Sequence, residues 1–398
     1  MPGHAKRQYT KYIVDYCSTL KISFKETASL MLQGFSDDDY VSMFRHCYPH
    51  IWQDIEIKYR KYKKYDERLT KRGKKRRYKF PKPHNFILYK AYHVLIKTRK
   101  QHEQTEIHIN PALRQERIEQ LRAESFQQLQ KQKERERQKL AYVQQVKPAY
   151  SGFLLGKYLR HRRTHPEDVD TCYRYLLEAS KYKCNDTIDL FQKVNAAERN
   201  YNLRFFAFQM LQRFGIKEVK LRKNPKGKVK PGDKEVPKAL NTPEELLRAI
   251  YDSQLEQQKT FDIFLSHSSK DLELLLKIKT MLNADGINVY IDWVNDYAEL
   301  RRELTNKDTA RVIIERIRAS RAFLYIETEA SAYSQWTPWE LGYAHAIGKK
   351  ICVLEIQEIP EPPAYLSIYD QARIENDSIM VSHLGTDIII KDYIKPKN

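Results

Sequence analysis

The feature that most constrains this chain is a change of hydrophobic period near residue 260. Before it, apolar residues recur at helical spacing. After it, short apolar runs alternate with amphipathic stretches. Phe261–Ser266, Ile287–Asp292, Ala322–Glu327 and Ile351–Ile356 read as strands. Lys270–Ala284, Thr309–Ser320 and Pro338–Ile347 read as the helices between them, with Gly286 and Gly348 as stops for the first and third. Strands that are apolar on both faces must be covered on both faces, which predicts a parallel sheet. Right-handed crossovers then give a doubly wound, flavodoxin-like α/β domain.

In such sheets ligands sit beyond the carboxyl ends of the strands. Three segments fall there: Ser266-His267-Ser268-Ser269, Asp292-Trp293, and the loop Thr328–Thr337 leading to Glu340. Hydroxyls and helix amides suit phosphates. Tryptophans suit a flat ring, and a carboxylate supports glycosidic cleavage. Glu340 has a second reading. Thr337 suits an N-cap, Pro338 the first helical position, and Glu340 stands three after the cap, as in a capping box, with Trp336 and Leu341 as a staple. On that reading the carboxylate satisfies a backbone donor as well as holding a fixed place.

Asp262-Ile-Phe-Leu-Ser-His-Ser-Ser-Lys-Asp271, Val289-Tyr-Ile-Asp-Trp293 and Trp336-Thr-Pro-Trp-Glu340 together resemble a Toll/interleukin-1 receptor (TIR) domain, in particular the prokaryotic TIR-like NADase type. The resemblance covers residues 261–398. It implies cleavage of the nicotinamide–ribose bond of NAD⁺, with cyclisation of the product in some members. Glu340 would be the catalytic carboxylate. Ser266, His267, Ser268, Ser269, Asp292, Trp293 and Trp336 would line the substrate site. NAD⁺ would be substrate, with no cofactor, and the chain has no G-x-G-x-x-G. The resemblance also implies self-association through TIR domains, the Asp292–Lys307 segment standing where the family's packing loop stands. Some TIR domains are non-catalytic adaptors, and related sheets belong to other nucleotide N-glycosidases, so both remain alternatives.

Charge divides the chain differently. Of its 71 Lys and Arg and 51 Asp and Glu, residues 261–398 hold 16 and 21, leaving 55 and 30 in the first 260. The organisation expected is a basic helical domain at 1–112, a long helix with a helical segment and basic linker at 113–240, and a connecting helix plus TIR domain at 241–398. Ser36-Asp-Asp-Asp39 predicts a capped helix start. Lys63, Lys64, Lys71, Arg72, Lys74, Lys75, Arg76, Arg77 and Lys79 form a basic run interleaved with Tyr59, Tyr62, Tyr65 and Tyr78. Cations neutralise phosphates and aromatic faces stack on bases, so nucleic-acid binding is the partner expected. A nucleoprotein such as a retron reverse transcriptase with its RNA–DNA product is one form of it. Between Gln130 and Lys139 no apolar residue occurs, which predicts a solvent-bridging helix. Lys217–Lys234, rich in Lys, Pro and Gly, reads as a linker.

The five cysteines are odd in number and lack CxxC spacing, which points to reduced thiols. His161 and His165 are followed at once by Pro166 and lack the glutamate of a metalloprotease helix, so no metal site is expected. No apolar run approaches the roughly 18 residues of a membrane span, and Met1–Arg7 lacks a signal peptide's apolar core. A cytoplasmic effector in antiphage defence, an NADase restrained by a basic helical sensor, is the expectation that joins these parts.

Overall fold

The computed structural model describes residues 4–104, 110–216, 219–221, 238–268, 270–296, 299–300, 305–356 and 363–395. It divides into two compact units, 1–138 and 139–398. Most of the Lys217–Lys234 linker lies outside the described residues.

The first unit is helical: α1 (His4–Thr19), α2 (Lys21–Ser29), α3 (Asp37–Cys47), α4 (Pro49–Lys71), α5 (Pro83–Gln104) and α6 (Pro111–Leu140). The capping box at Ser36 forms as expected. Its hydroxyl accepts from Asp39 N–H, and the Asp39 carboxylate accepts from Ser36 N–H at 2.9 Å. Tyr40, Val41 and Phe44 follow on the buried face. Ile118 and Leu121 of α6 join this core, whereas 130–139 are exposed, as the missing apolar residues require.

The second unit starts with a helical segment of α7 (Ser151–Thr164), α8 (Val169–Ser180), α9 (Asn185–Ala197) and α10 (Tyr201–Arg213). Cys172, Leu176, Leu190, Phe191 and Leu203 fill its core. His161 pairs with Asp168 at 2.9 Å, and Cys172 is buried among apolar side chains. Helix α11 (Pro243–Asp252) is capped by Thr242, whose hydroxyl accepts from Glu245 N–H. Helix α12 (Gln254–Gln257) leads into the sheet.

The sheet has the order β2-β1-β3-β4-β5-β6-β7. The elements are β1 (Phe261–Ser266), α13 (Leu272–Ala284), β2 (Val289–Tyr290), α14 (Asp292–Asn295), α15 (Lys307–Arg318), β3 (Ser320–Glu327), α16 (Glu329–Ala332), α17 (Thr337–Ala346), β4 (Lys350–Glu355), β5 (Asp370–Glu375), β6 (Ser378–His383), β7 (Thr386–Ile389) and α18 (Ile390–Tyr393). Strands β1 to β5 are parallel, in flavodoxin order, and β6 and β7 add antiparallel. Alternate residues serve two cores. Ala322, Leu324 and Ile326 face the α13 side; Phe323 and Tyr325 face α15 and α17.

Two differences from expectation have physical reasons. The second strand is shorter than Ile287–Asp292, because Asn295 Oδ1 accepts from Ile291 N–H and turns the chain into α14. The antiparallel extension was not foreseen. It rests on two-residue turns at Asn376-Asp377 and Leu384-Gly385, all four residues with positive φ, as tight hairpins need.

Two polar systems join the helical segment to the sheet within the second unit. Lys279 Nζ donates to Val143 O, Gln144 Nε2 to Val289 O, and Asn283 Nδ2 to Gln144 Oε1. Deeper, Arg316 of α15 donates to Asp296 and Glu256, both at 2.8 Å. Lys259 bridges Glu256 and Glu178, and Lys181 bridges Glu178 and Asp296. Breaking one member strands the others. Arg316→Leu should therefore cost about 3–5 kcal/mol, read as a fall in the urea midpoint. A loss under about 1 kcal/mol would mean that the network carries little of the packing.

Candidate active site

Strand β1 ends at Ser266, fully buried at the carboxyl edge, and its Oγ donates to Glu340 Oε2 at 2.6 Å. These two side chains lie 74 residues apart in sequence and are joined only by the sheet topology. Burial pushes the Glu340 carboxyl up to about 8; the Ser266 hydrogen bond opposes the rise and the charge of Asp292 adds to it.

The expected capping box does not form. Thr337 lies inside α17, and its hydroxyl donates to Ser331 O at 2.8 Å instead of accepting. Ser334 Oγ takes the cap position, accepting from Trp336 and Thr337 N–H. The Glu340 backbone N–H donates to Trp336 O at 2.8 Å as an ordinary helical bond. A serine three residues upstream thus covers the helix start, and the Glu340 carboxyl turns to Ser266 instead. Ser331 itself is fixed by Thr328, which bonds Asp271 at 2.7 Å. The sequence places the Thr328–Thr337 loop at this edge, but not the separate parts that Ser331 and Ser334 play in it. The signal is there in two successive Ser/Thr starts, Thr328-x-x-Ser331 and Ser334-x-x-Thr337.

Next to Ser266, His267 is held in one neutral tautomer. Leu265 O can only accept, so Nδ1 donates to it at 2.9 Å. The Trp293 indole N–H can only donate, so Nε2 accepts at 2.6 Å. His267 thereby fixes Trp293, whose edge also meets Tyr142 with ring centroids 5.6 Å apart. Asp292 accepts from Trp293 N–H at 2.7 Å and stands 3.5 Å from His267 Nε2. Ser268 is buried and accepts from Lys270 N–H at 3.4 Å, a turn role. Trp336 packs edge-on to Trp339 and against the α15–α17 core. Ser269 and parts of the Asp292–Lys307 segment lie outside the described residues. Ser266, Asp292 and Glu340 therefore converge, with His267 and Trp293 beside them.

The basic run in the first unit is differently made. Lys63, Lys64, Lys71, Arg72, Lys74, Lys75, Arg76, Arg77 and Lys79 are exposed. The tyrosines expected to stack on bases are largely core: Tyr62 is buried, and Tyr65 and Tyr78 pack with it and Tyr9 in an edge-on cluster backed by Phe80. Asp66 accepts from the N–H groups of Arg77, Tyr78 and Lys79, at 2.7, 2.9 and 2.7 Å, and pins the run to α4. The charges are presented; the stacking platform is not.

A parallel sheet in flavodoxin order, extended by two antiparallel strands, defines a flavodoxin-like α/β domain. Residues 263–378 match the TIR domain family, and the C-terminal part of the chain is a TIR domain of the prokaryotic type. Across 95% of this chain and 98% of the relative, it is 29% identical to the "Putative cyclic ADP-D-ribose synthase TIR2" of Cytobacillus dafuensis. It is 37% identical, over 25% of this chain and 52% of the relative, to the "Probable 3' cyclic ADP-D-ribose synthase ThsB'" of Bacillus cereus (strain MSX-D12).

A carboxyl raised by burial lowers stability once it ionises. Protonated, Glu340 resembles glutamine; ionised, it is a buried anion. Glu340→Gln should therefore match the wild type in thermal stability near pH 4 and exceed it near pH 9, the gap opening above the ordinary carboxyl value of 4.5 and reaching its full size near 8. Equal melting temperatures at both values would show that the carboxylate is not desolvated.

Proposed function

We propose that this protein cleaves the nicotinamide–ribose bond of NAD⁺ and closes the ADP-ribose product into a cyclic form, with Glu340 as the catalytic carboxylate. The observation that carries the reading is the buried Glu340 carboxyl held by Ser266 at the sheet's carboxyl edge. The names of the two relatives, both cyclic ADP-ribose synthases, support it.

The chemistry follows from charge. Nicotinamide in NAD⁺ is already cationic, so the C1′–N bond breaks with its electron pair going to the ring and needs no acid. The ribose that remains is oxocarbenium-like, and an adjacent carboxylate stabilises it. A cation entering the pocket favours ionised Glu340, so substrate binding itself draws the proton off. Capture of the ribose cation by a nucleophile of the same molecule gives the cyclic product; capture by water gives ADP-ribose, the water's proton passing to Glu340 or solvent. Ser266 would orient the carboxylate and Asp292 tune it. His267 and Trp293 would wall the pocket, with Ser268, Ser269 and Trp336 around it. A pure adaptor would have no use for a carboxyl buried at a cost to stability, which favours the enzymatic reading.

NAD⁺ consumption of this kind fits an antiphage effector that acts after self-association of TIR domains. The exposed basic run of the first unit would contact a phosphate-rich partner by charge alone, since its tyrosines are committed to the core. If so, mixing with single-stranded nucleic acid should give an affinity that falls steeply between about 50 and 200 mM salt and does not depend on base identity. A flat salt response removes this partner.

The test of the activity is incubation with NAD⁺, following nicotinamide and the ribosyl product by chromatography, with the protein free and forced to self-associate. Glu340→Gln should lower turnover by at least about 100-fold. Wild-type-like turnover in that variant removes Glu340 from catalysis. The pH profile has a sign. kcat/KM should rise with pH toward a limb near 8, where free Glu340 ionises, and Ser266→Ala should move the limb upward, because the hydrogen bond that holds the carboxyl down is gone.

A further inference from the structure

Bounded by α8, α11 and α14 lies a chamber of about 790 Å³ that shares Trp293, and no other residue assigned above, with the candidate active site. Enclosing sites for small organic ligands span about 300–1,000 Å³. Leu177, Leu240, Leu246 and Leu255 give it an apolar wall, and Tyr142, Tyr175 and Trp293 bring flat aromatic surfaces to it.

Its charges fall into two groups. Glu178, Glu256 and Asp296 are matched by Lys181, Lys259 and Arg316 in the network already described, three acids against three bases. Arg174 and Arg213 stand outside that balance. Arg213 Nε donates to Lys139 O, and Arg174 donates to the Thr171 hydroxyl. Among the described residues neither has a carboxylate partner. Arg213 is half-buried, and burial disfavours its charged form, whereas Arg174 is exposed at the chamber's rim. Glu299, at the same wall, is pushed toward its neutral form by burial, with Lys181 opposing the rise. A guanidinium withdrawn from water without a counter-ion is costly, and its planar fork matches phosphate oxygens.

We propose that this chamber binds a ligand of the nucleoside monophosphate class, its phosphate on Arg213 and Arg174 and its base against Tyr142, Tyr175 and Trp293. Occupancy reaches the TIR edge directly. Trp293 lines the chamber, bonds His267 beside Ser266, and follows Asp292, whose charge bears on Glu340. That the ligand regulates turnover rests on the reading of Glu340 given above; that it binds does not.

Binding is measured by calorimetry on the full chain, so it stands or falls separately from any nicotinamide release. The probes are AMP, GMP, CMP and UMP, with adenosine and inorganic phosphate as the separate halves. At least one monophosphate should bind more tightly than either half. Arg174→Gln combined with Arg213→Gln should weaken it at least about tenfold. Ala249→Trp, which fills the chamber from α11 without touching charge, should abolish it while cooperative melting is retained. In the Glu340→Gln background, excess NAD⁺ should leave binding in place. The proposal is overturned if no monophosphate outbinds phosphate, if both sets of variants bind as the wild type does, or if NAD⁺ displaces the ligand from the Glu340→Gln variant.

Discussion

The second unit depends on charges taken out of water together. Arg316, Asp296, Glu256, Lys259, Glu178 and Lys181 come from α8, α15, and the ends of α12 and α14. None of these would be stable at that depth alone, and each is tolerable only because the others arrive. Such a network adds little net stability over an apolar core, but it permits one arrangement of the elements. Tyr150 and Tyr290 cap it with hydroxyls on Glu178 and Asp296. Because Asp296 closes the stretch that begins with Asp292 and Trp293, the packing of the helical segment and the geometry of the candidate site are set by the same contacts.

The site reverses that logic. Where the network pairs every carboxylate, Glu340 receives one neutral hydroxyl. Among the described residues no cation is paired with it. A carboxyl at the start of a ten-residue helix has an easy local use in capping. Ser334 removes that use by covering the helix start, and the Glu340 carboxyl turns to Ser266.

Much of this was legible in the sequence. Apolar runs of strand length between glycine-stopped helices gave the parallel sheet, because a strand buried on both faces cannot alternate. Glu340, Ser266 and Asp292 could be placed at one edge from topology alone. What remained hidden was non-local or finely balanced. Which hydroxyl caps α17 depended on Ser334 against Thr337, a choice decided by Ser331 O. The hairpins after residue 370 were missed because Asn376-Asp377 was not weighed as a two-residue turn. The tyrosines of the basic run looked like stacking surfaces by spacing, yet spacing does not say which face of α4 is covered. The network of six charges left no pattern in sequence, since its members are drawn from elements far apart along the chain.

The Val143–Gln145 contacts bear on what counts as the smallest intact TIR unit in this protein. Gln144 occupies Val289 O on the outermost strand, the Lys279 ammonium donates to Val143 O and the Asn283 amide donates to Gln144 Oε1. A fragment cut at the family boundary would carry a buried ammonium with no acceptor and an open strand edge. For this chain the compact unit begins at residue 139, more than a hundred residues before the domain that similarity marks out at 263. The helical segment is thus part of the domain's own interior, and fragments or evolutionary grafts that respect only the sheet would transplant an incomplete object.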